Sequence, residues 1–163
     1  MTKILLLSDT HSYIDSNILK YVDTVDEVWH AGDIGDLKVT QAIEKIRPLR
    51  AVYGNIDDYR IRRIYPEIQN FTIEKVKICM IHIGGYPGRY SPGVPAILQA
   101  EKPKIFISGH SHILKVIPDK SRRILHMNPG AIGKSGFHKV RTMLRFEINQ
   151  ANIQNLEVIE WKR

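Results

Sequence analysis

The sequence predicts an α/β domain in which a pair of mixed β-sheets is sandwiched by helices. From Ile4 to Tyr53, short uniformly apolar runs alternate with segments of helical spacing, the pattern of parallel strands joined by crossover helices. Beyond His112 the pattern becomes all strand, which adds antiparallel pairs to that parallel core. Five of the apolar runs also break at once into a carboxylate, an amide or an imidazole, so polar chemistry gathers where the strands end.

Ile4–Ser8 is too short and too continuously apolar for an amphipathic helix and reads as a strand buried on both faces. Ser16 is placed to cap a helix reaching about Tyr21, and Glu27–His30 is a second strand leading to Gly32-Asp33. Val39, Ala42, Ile43 and Ile46 define a helix over Lys38–Ile46, and Pro48 stops it before a third strand, Leu49–Tyr53. The charged stretch Asp57–Pro66 interrupts the alternation. Gln69–Glu74 and Lys77–His82 form a hairpin around Glu74-Lys75-Val76, and Gly84–Gly93, with four glycines and two prolines, reads as a long loop. Gly93–Lys102 resumes helical spacing, Pro103 ends it, and Ile105–Ser108 delivers His110 and His112. Leu114–Pro118, Arg123–Met127, Thr142–Ile148 and Leu156–Trp161 are the late strands. With no repeats and no linker, residues 1–163 are expected to make one domain.

Composition narrows the class. Hydrophobic residues at 43% and charged residues at 25% are ordinary for a folded globular chain, which argues against disorder. No apolar run approaches the length of a membrane span, and Met1-Thr2-Lys3 leads straight into the first strand, so a cytoplasmic location and no membrane partner are expected. The one cysteine, Cys79, lies inside an apolar run as a buried free thiol. A net charge of +7 suits an anionic partner such as a phosphate ester or nucleic acid. The basic clusters Arg60-Arg62-Arg63, Lys120-Arg122-Arg123 and Lys134-His138-Lys139-Arg141 read as solvated faces.

In sheets with a parallel core, ligands bind beyond the carboxyl ends of the strands. Asp9, His11, Asp33, Asn55, His82, His110 and His112 all follow strand runs on that side. Each has a bland reading on its own, as a cap, a turn residue or an interior histidine, but all seven together at five strand ends do not. Two carboxylates, one amide and four imidazoles are too many donors for one ion and suit two that share a bridging carboxylate, for which Asp33 is best placed. Two such ions, about 3.5–4 Å apart, would acidify a shared water and neutralise charge on an in-line phosphoryl transition state. In the glycine-rich loop after His82, Arg89 is the residue expected to grip phosphate oxygens, with a solvated loop arginine as the alternative.

Asp9-Thr10-His11, Gly32-Asp33-Ile34-Gly35-Asp36, Gly54-Asn55-Ile56-Asp57, His82 and Gly109-His110-Ser111-His112, in this order, resemble the five motifs of the calcineurin-like metallophosphoesterases. The small bacterial and archaeal phosphodiesterases of the YfcE type are the nearest match, and the resemblance covers Lys3–Phe146. It implies a four-layer α/β/β/α sandwich and a dinuclear phosphodiesterase. One divalent ion would take Asp9, His11, Asp33 and His112, and the other Asp33, Asn55, His82 and His110, with manganese first and nickel, zinc or iron as alternatives. Asp33, Asn55 and His110 are then the residues expected to carry catalysis on a small phosphodiester.

Two positions depart from the pattern. Ile56 stands where many larger members have a histidine that protonates the leaving group, and Ile83 stands where glycine usually follows the ligand histidine. Asn128-Pro129-Gly130 resembles a late turn of the family and reads as structural. Two other functions compete with the enzyme. A non-catalytic interaction scaffold would resemble the retromer subunit of this fold, which departs at a metal ligand where this chain departs at none. A nucleic-acid-binding protein is less favoured, because the basic clusters lack interleaved aromatics. Homo-oligomerisation is left open.

Overall fold

The computed structural model describes residues 1–163. Its strands are β1 (Thr2–Leu7), β2 (Glu27–His30), β3 (Leu49–Ala51), β4 (Ile68–Ile73), β5 (Val76–Ile81), β6 (Gly85–Tyr86), β7 (Arg89–Tyr90), β8 (Ile105–Ile107), β9 (Leu114–Asp119), β10 (Ile124–Pro129), β11 (Val140–Asn149) and β12 (Asn152–Lys162). The helices are α1 (Ser16–Val22), α2 (Leu37–Glu44), α3 (Tyr59–Arg62) and α4 (Val94–Glu101).

Two five-stranded mixed sheets form the centre, one ordered β12-β11-β1-β2-β3 and the other β4-β5-β8-β10-β9. β1, β2 and β3 run parallel in the first, with the antiparallel pair β11 and β12 on the β1 side, and β5, β8 and β10 run parallel in the second, flanked by the antiparallel strands β4 and β9. The continuous apolar run of β1 follows from its position. Ile4 and Leu6 point between the sheets, packing with Trp29, Ile78, Met80, Ile107 and Phe146, while Leu5 and Leu7 point the other way, beneath α1 and α2 with Ile18, Val22, Val39 and Ile43. On the far face of the second sheet, α4 lays Val94 and Leu98 over Phe106 and Ile124, with Cys79 fully buried beneath them. This is the four-layer α/β/β/α sandwich, and burial in it pushes the Cys79 thiol up to about 11.

The local differences from expectation have simple causes. The cap of α1 is Asp15, whose carboxylate accepts from the Ile18 N–H at 2.8 Å, so Ser16 is already helical. The charged stretch after Asn55 contains the one-turn helix α3, capped by Asp58. The glycine-rich segment after His82 is not plain loop: Gly85 pairs with Tyr90 and Tyr86 with Arg89 in a two-residue-strand hairpin. β12 starts four residues before Leu156, because its pairing with the ten-residue β11 continues down to the turn after Asn149. The basic clusters are only partly solvated. Arg141 is 6% exposed and donates to the Ile132 carbonyl, Arg62 donates to the Asp57 carbonyl, and Arg122 pairs with Asp119. No helix is long and apolar enough to cross a membrane.

Candidate metal centre

The parallel strands of both sheets end at one rim, and the seven candidate donors lie there. Asp9 and His11 follow β1, Asp33 follows β2, Asn55 follows β3, His82 follows β5, and His110 and His112 follow β8. Six of them form two clusters, Asp9 with His11 and His112, and Asp33 with His82 and His110, each with its donor atoms within 4.8 Å of one another. Asn55 is exposed beside His82 in a cleft of about 230 Å³ that also includes Tyr53, Arg62 and Ile83.

Asp33 lies between the clusters. Its Oδ2 is 3.4 Å from His11 Nε2 and 3.2 Å from His82 Nε2, while its Oδ1 accepts from the Ile56 N–H at 3.1 Å. Asp9 is fully buried. Its Oδ2 accepts from the Ser8 hydroxyl at 2.6 Å and the His110 N–H at 3.2 Å, which leaves Oδ1 facing His112 Nε2 at 3.2 Å. Asp9 Oδ1, His11 Nε2 and His82 Nε2 are buried and make no hydrogen bond. Buried polar atoms are almost always paired, so donor atoms that converge without bonding each other mark room for a cation. The residues therefore fit divalent metal ions.

Backbone geometry agrees with a constrained site. Asp9, His11, Asp33, His110 and His112 all have φ between 44° and 70°, a region that non-glycine residues rarely occupy and that gathers at functional sites. Neighbouring side chains hold these turns in place. Asp57, buried, accepts from the Ile34, Gly35 and Gly54 N–H groups, tying the Asp33 and Asn55 loops together. His30 accepts from the Gly32 N–H through Nδ1 and bonds the Thr10 hydroxyl through Nε2; complete burial keeps it neutral, with its pKa down to about 3. Asn128 donates to the Gly109 carbonyl, so the turn read as structural steadies the His110 loop. At Gly54 a Cβ would lie 2.0 Å from Asp33 Oδ1, so only glycine fits. Of these supports, Asp57 was visible only as a motif residue without a role and His30 only as a strand residue near one, since nothing in sequence spacing shows which main-chain groups they bond.

Two further positions singled out in the sequence lie at the surface. Arg89 is exposed on β7, and its guanidinium makes no hydrogen bond or ion pair within the chain. Ile56 is 45% exposed, so its side chain lies open while its N–H serves Asp33.

The electrostatics are those of a cation site holding protons instead. Burial pushes the Asp9 and Asp33 carboxyls up, but His11 and either His112 or His82 outweigh it and hold both well below the usual carboxylate range. Asp33, then Asp9, raises His11 from 6.5 to about 9. At His82 burial opposes the charged ring, yet the same two carboxylates outweigh it and raise the pKa.

Residues 2–151 match the family model of the calcineurin-like phosphoesterase superfamily domain, and the chain belongs to that superfamily. It is similar to a probable metallophosphoesterase of Methanocaldococcus jannaschii, 27% identical over 132 residues, which make up 77% of this chain and 66% of that protein. Among solved structures, it resembles a conserved protein of Streptococcus pneumoniae named as a predicted phosphoesterase, with a TM-score of 0.72 and 25% identity over 99% of this chain and 98% of the other. It also shares the fold of Vps29 from Entamoeba histolytica, solved in complex with zinc, at a TM-score of 0.75 and 17% identity over 98% of each chain.

The proton held by His11 gives a pH test. With a folded pKa of about 9 against an ordinary 6.5, its contribution to metal-free stability is complete below 6.5 and is lost as pH rises through about 9. A cation must displace that proton, so calorimetric titration with zinc in buffers of different protonation enthalpy should show proton release at pH 7 that decreases as pH rises through about 9. Zinc binding at pH 7 without proton release would contradict this electrostatic picture.

Proposed function

We propose that the chain is a dinuclear metal-dependent phosphodiesterase. The observation that carries this reading is the position of Asp33 Oδ2 between His11 Nε2 and His82 Nε2, with buried, unbonded nitrogen on both sides. In this reading Asp9, His11, Asp33 and His112 hold one divalent ion, and Asp33, Asn55, His82 and His110 hold the second. When bound, such ions acidify a water for attack on phosphorus and neutralise charge on the phosphoryl group. Manganese is proposed first, with nickel, zinc and iron as alternatives, because imidazole and carboxylate donors accept all four.

The chain's own residues do the rest by positioning. The Ile56 N–H fixes Asp33 Oδ1, which leaves Oδ2 free between the two clusters. Ser8 and the His110 N–H do the same for Asp9, occupying Oδ2 and freeing Oδ1. His82 donates Nδ1–H to the Ala31 carbonyl at 2.7 Å, which turns the Nε2 lone pair toward the cluster. No side chain is free to protonate the leaving group from position 56, and Asp57 is fully engaged by three main-chain N–H groups. Esters whose leaving group departs without that proton are therefore favoured, and these are diesters with good leaving groups in preference to alkyl monoesters. The scaffold reading draws no support beyond shared fold, and Arg62, Arg122 and Arg141 turn their guanidinium groups to partners within the chain, which leaves fewer of them to contact nucleic-acid phosphates.

Metal-loaded protein is expected to carry about two equivalents by elemental analysis and to hydrolyse bis-p-nitrophenyl phosphate. Asp33→Asn should lose both metals and the activity while its circular dichroism is unchanged. One equivalent or fewer in the unmodified protein, or two metals and normal turnover in Asp33→Asn, would refute the dinuclear reading.

Position 56 gives a separate test. Ile56→His should raise the ratio of monoesterase to diesterase turnover, toward the roughly 10²-fold that a general acid contributes. Efficient hydrolysis of alkyl monoesters by the unmodified protein would mean that another donor exists.

Arg89 is proposed to contact the substrate phosphate, supported by its free guanidinium on the hairpin that follows His82. Arg89→Ala should raise KM for the diester about tenfold, the worth of one charge-assisted hydrogen bond, with kcat little changed. Unchanged kinetics would leave Arg89 a solvated surface residue.

A further inference from the structure

The loop between β10 and β11 carries a histidine that none of the five motifs contains. His138 lies with its ring edge-on to His112, centroids 5.0 Å apart and planes at 77°, and the two Nδ1 atoms are 3.2 Å apart. The far side of the ring is also engaged: His138 Nε2 lies 2.8 Å from the Gly133 carbonyl oxygen. A carbonyl only accepts, so His138 carries its proton on Nε2, and a neutral ring then leaves Nδ1 as an acceptor. His112 in turn donates from Nδ1, which leaves Nε2, 3.2 Å from Asp9 Oδ1, as the nitrogen available to a cation. One chain of hydrogen bonds, from a main-chain carbonyl through two imidazoles, thus sets the tautomer of a donor in the first cluster.

The loop is built around this pair. Its start is rooted on the same strand end as Asp9, since the Gly133 N–H donates to the Asp9 carbonyl at 3.1 Å and the Ile132 N–H donates to the Ser8 carbonyl at 3.1 Å. Gly136, with φ of +124°, crosses so close that a Cβ there would lie 2.3 Å from His112 Nδ1 and 3.2 Å from His138 Nδ1. A side chain at 136 would push the two rings apart. The Arg163 guanidinium donates to the carbonyls of Gly136 and His138, holding the loop from its outer side.

We propose that His138 is a positioning residue for metal binding: by accepting the Nδ1 proton of His112 it presents His112 Nε2, unprotonated and correctly turned, to a divalent ion in the Asp9, His11 and His112 cluster. The inference rests on the metal-centre reading above. Ligand histidines usually give this second proton to a carboxylate, a carbonyl or water, and removing the partner typically weakens metal binding by about 10–100-fold. Here the partner is another imidazole, which is neutral and so leaves the net charge of the cluster unchanged.

The test measures zinc affinity by chelator competition in wild type, His138→Phe and His138→Asn. The phenylalanine keeps the ring but has no acceptor, and should bind one of its two zinc equivalents about 10–100-fold more weakly while the other is unaffected. The asparagine can set its side-chain oxygen where Nδ1 stood and should recover most of that affinity. In wild-type protein labelled with ¹⁵N-histidine and loaded with zinc, an Nδ1–H···Nδ1 bond should give a ¹⁵N–¹⁵N scalar coupling between His112 and His138, a readout that does not depend on how the variants fold. Wild-type affinity for both equivalents in His138→Phe, or no coupling between the two nitrogens in a protein that does bind two zincs, would overturn the inference. A wild-type protein that binds no zinc would instead overturn the metal-centre reading, and this inference with it.

Discussion

Two buried carboxylates determine the organisation of the rim. Asp9 is wholly buried and Asp33 nearly so, and each has one oxygen tied by hydrogen bonds and one left free. Burying an ionised carboxylate costs several kcal/mol unless it is compensated, and hydrogen bonding on one side alone does not remove that cost. The compensation lies in the imidazoles opposite, which hold protons in the metal-free molecule and present nitrogen lone pairs to a cation once those protons leave. The same atoms thus serve two states, and the raised histidine pKa values and depressed carboxyl values are two expressions of one charge requirement.

Meeting that requirement imposes backbone conformations the chain would not choose. Five donors sit at left-handed φ, each costing of order 1–3 kcal/mol, and such positions persist only where their surroundings determine them fully. Here the surroundings are specific: Asp57 across two loops, His30 under Thr10 and Gly32, and Asn128 under Gly109. Behind them stands the rigid double sheet, with Trp29 and Phe146 filling the space between its layers. The large apolar core and the strained polar rim are therefore coupled, since the first supplies the stability that holds the second.

Much of this was legible in the sequence because it depends on local order. A continuous apolar run such as Ile4–Leu7 can only be a strand with two covered faces, and a polar residue just past it must lie at the sheet's rim. The Asp9, His11, Asp33, His82, His110 and His112 clusters follow from that alone. What the sequence could not reveal depends on chain segments meeting in space. Asp15 and Ser16 are equally good caps on paper, and only the helix start decides between them. Arg141 sits in a run of basic residues that reads as solvated, yet the loop after β10 folds over it and its guanidinium bonds a main-chain carbonyl. His138 belongs to that same run, 26 residues from His112, and no spacing rule connects them.

Asp33 lies between the two donor clusters and would join them into one site. Anomalous diffraction from crystals of the metal-loaded protein tests it most directly. Two peaks are expected, one bounded by Asp9, His11 and His112 and the other by Asp33, His82 and His110, with an Asp33 oxygen shared by both. A single peak, or metal bound away from these side chains, would contradict it.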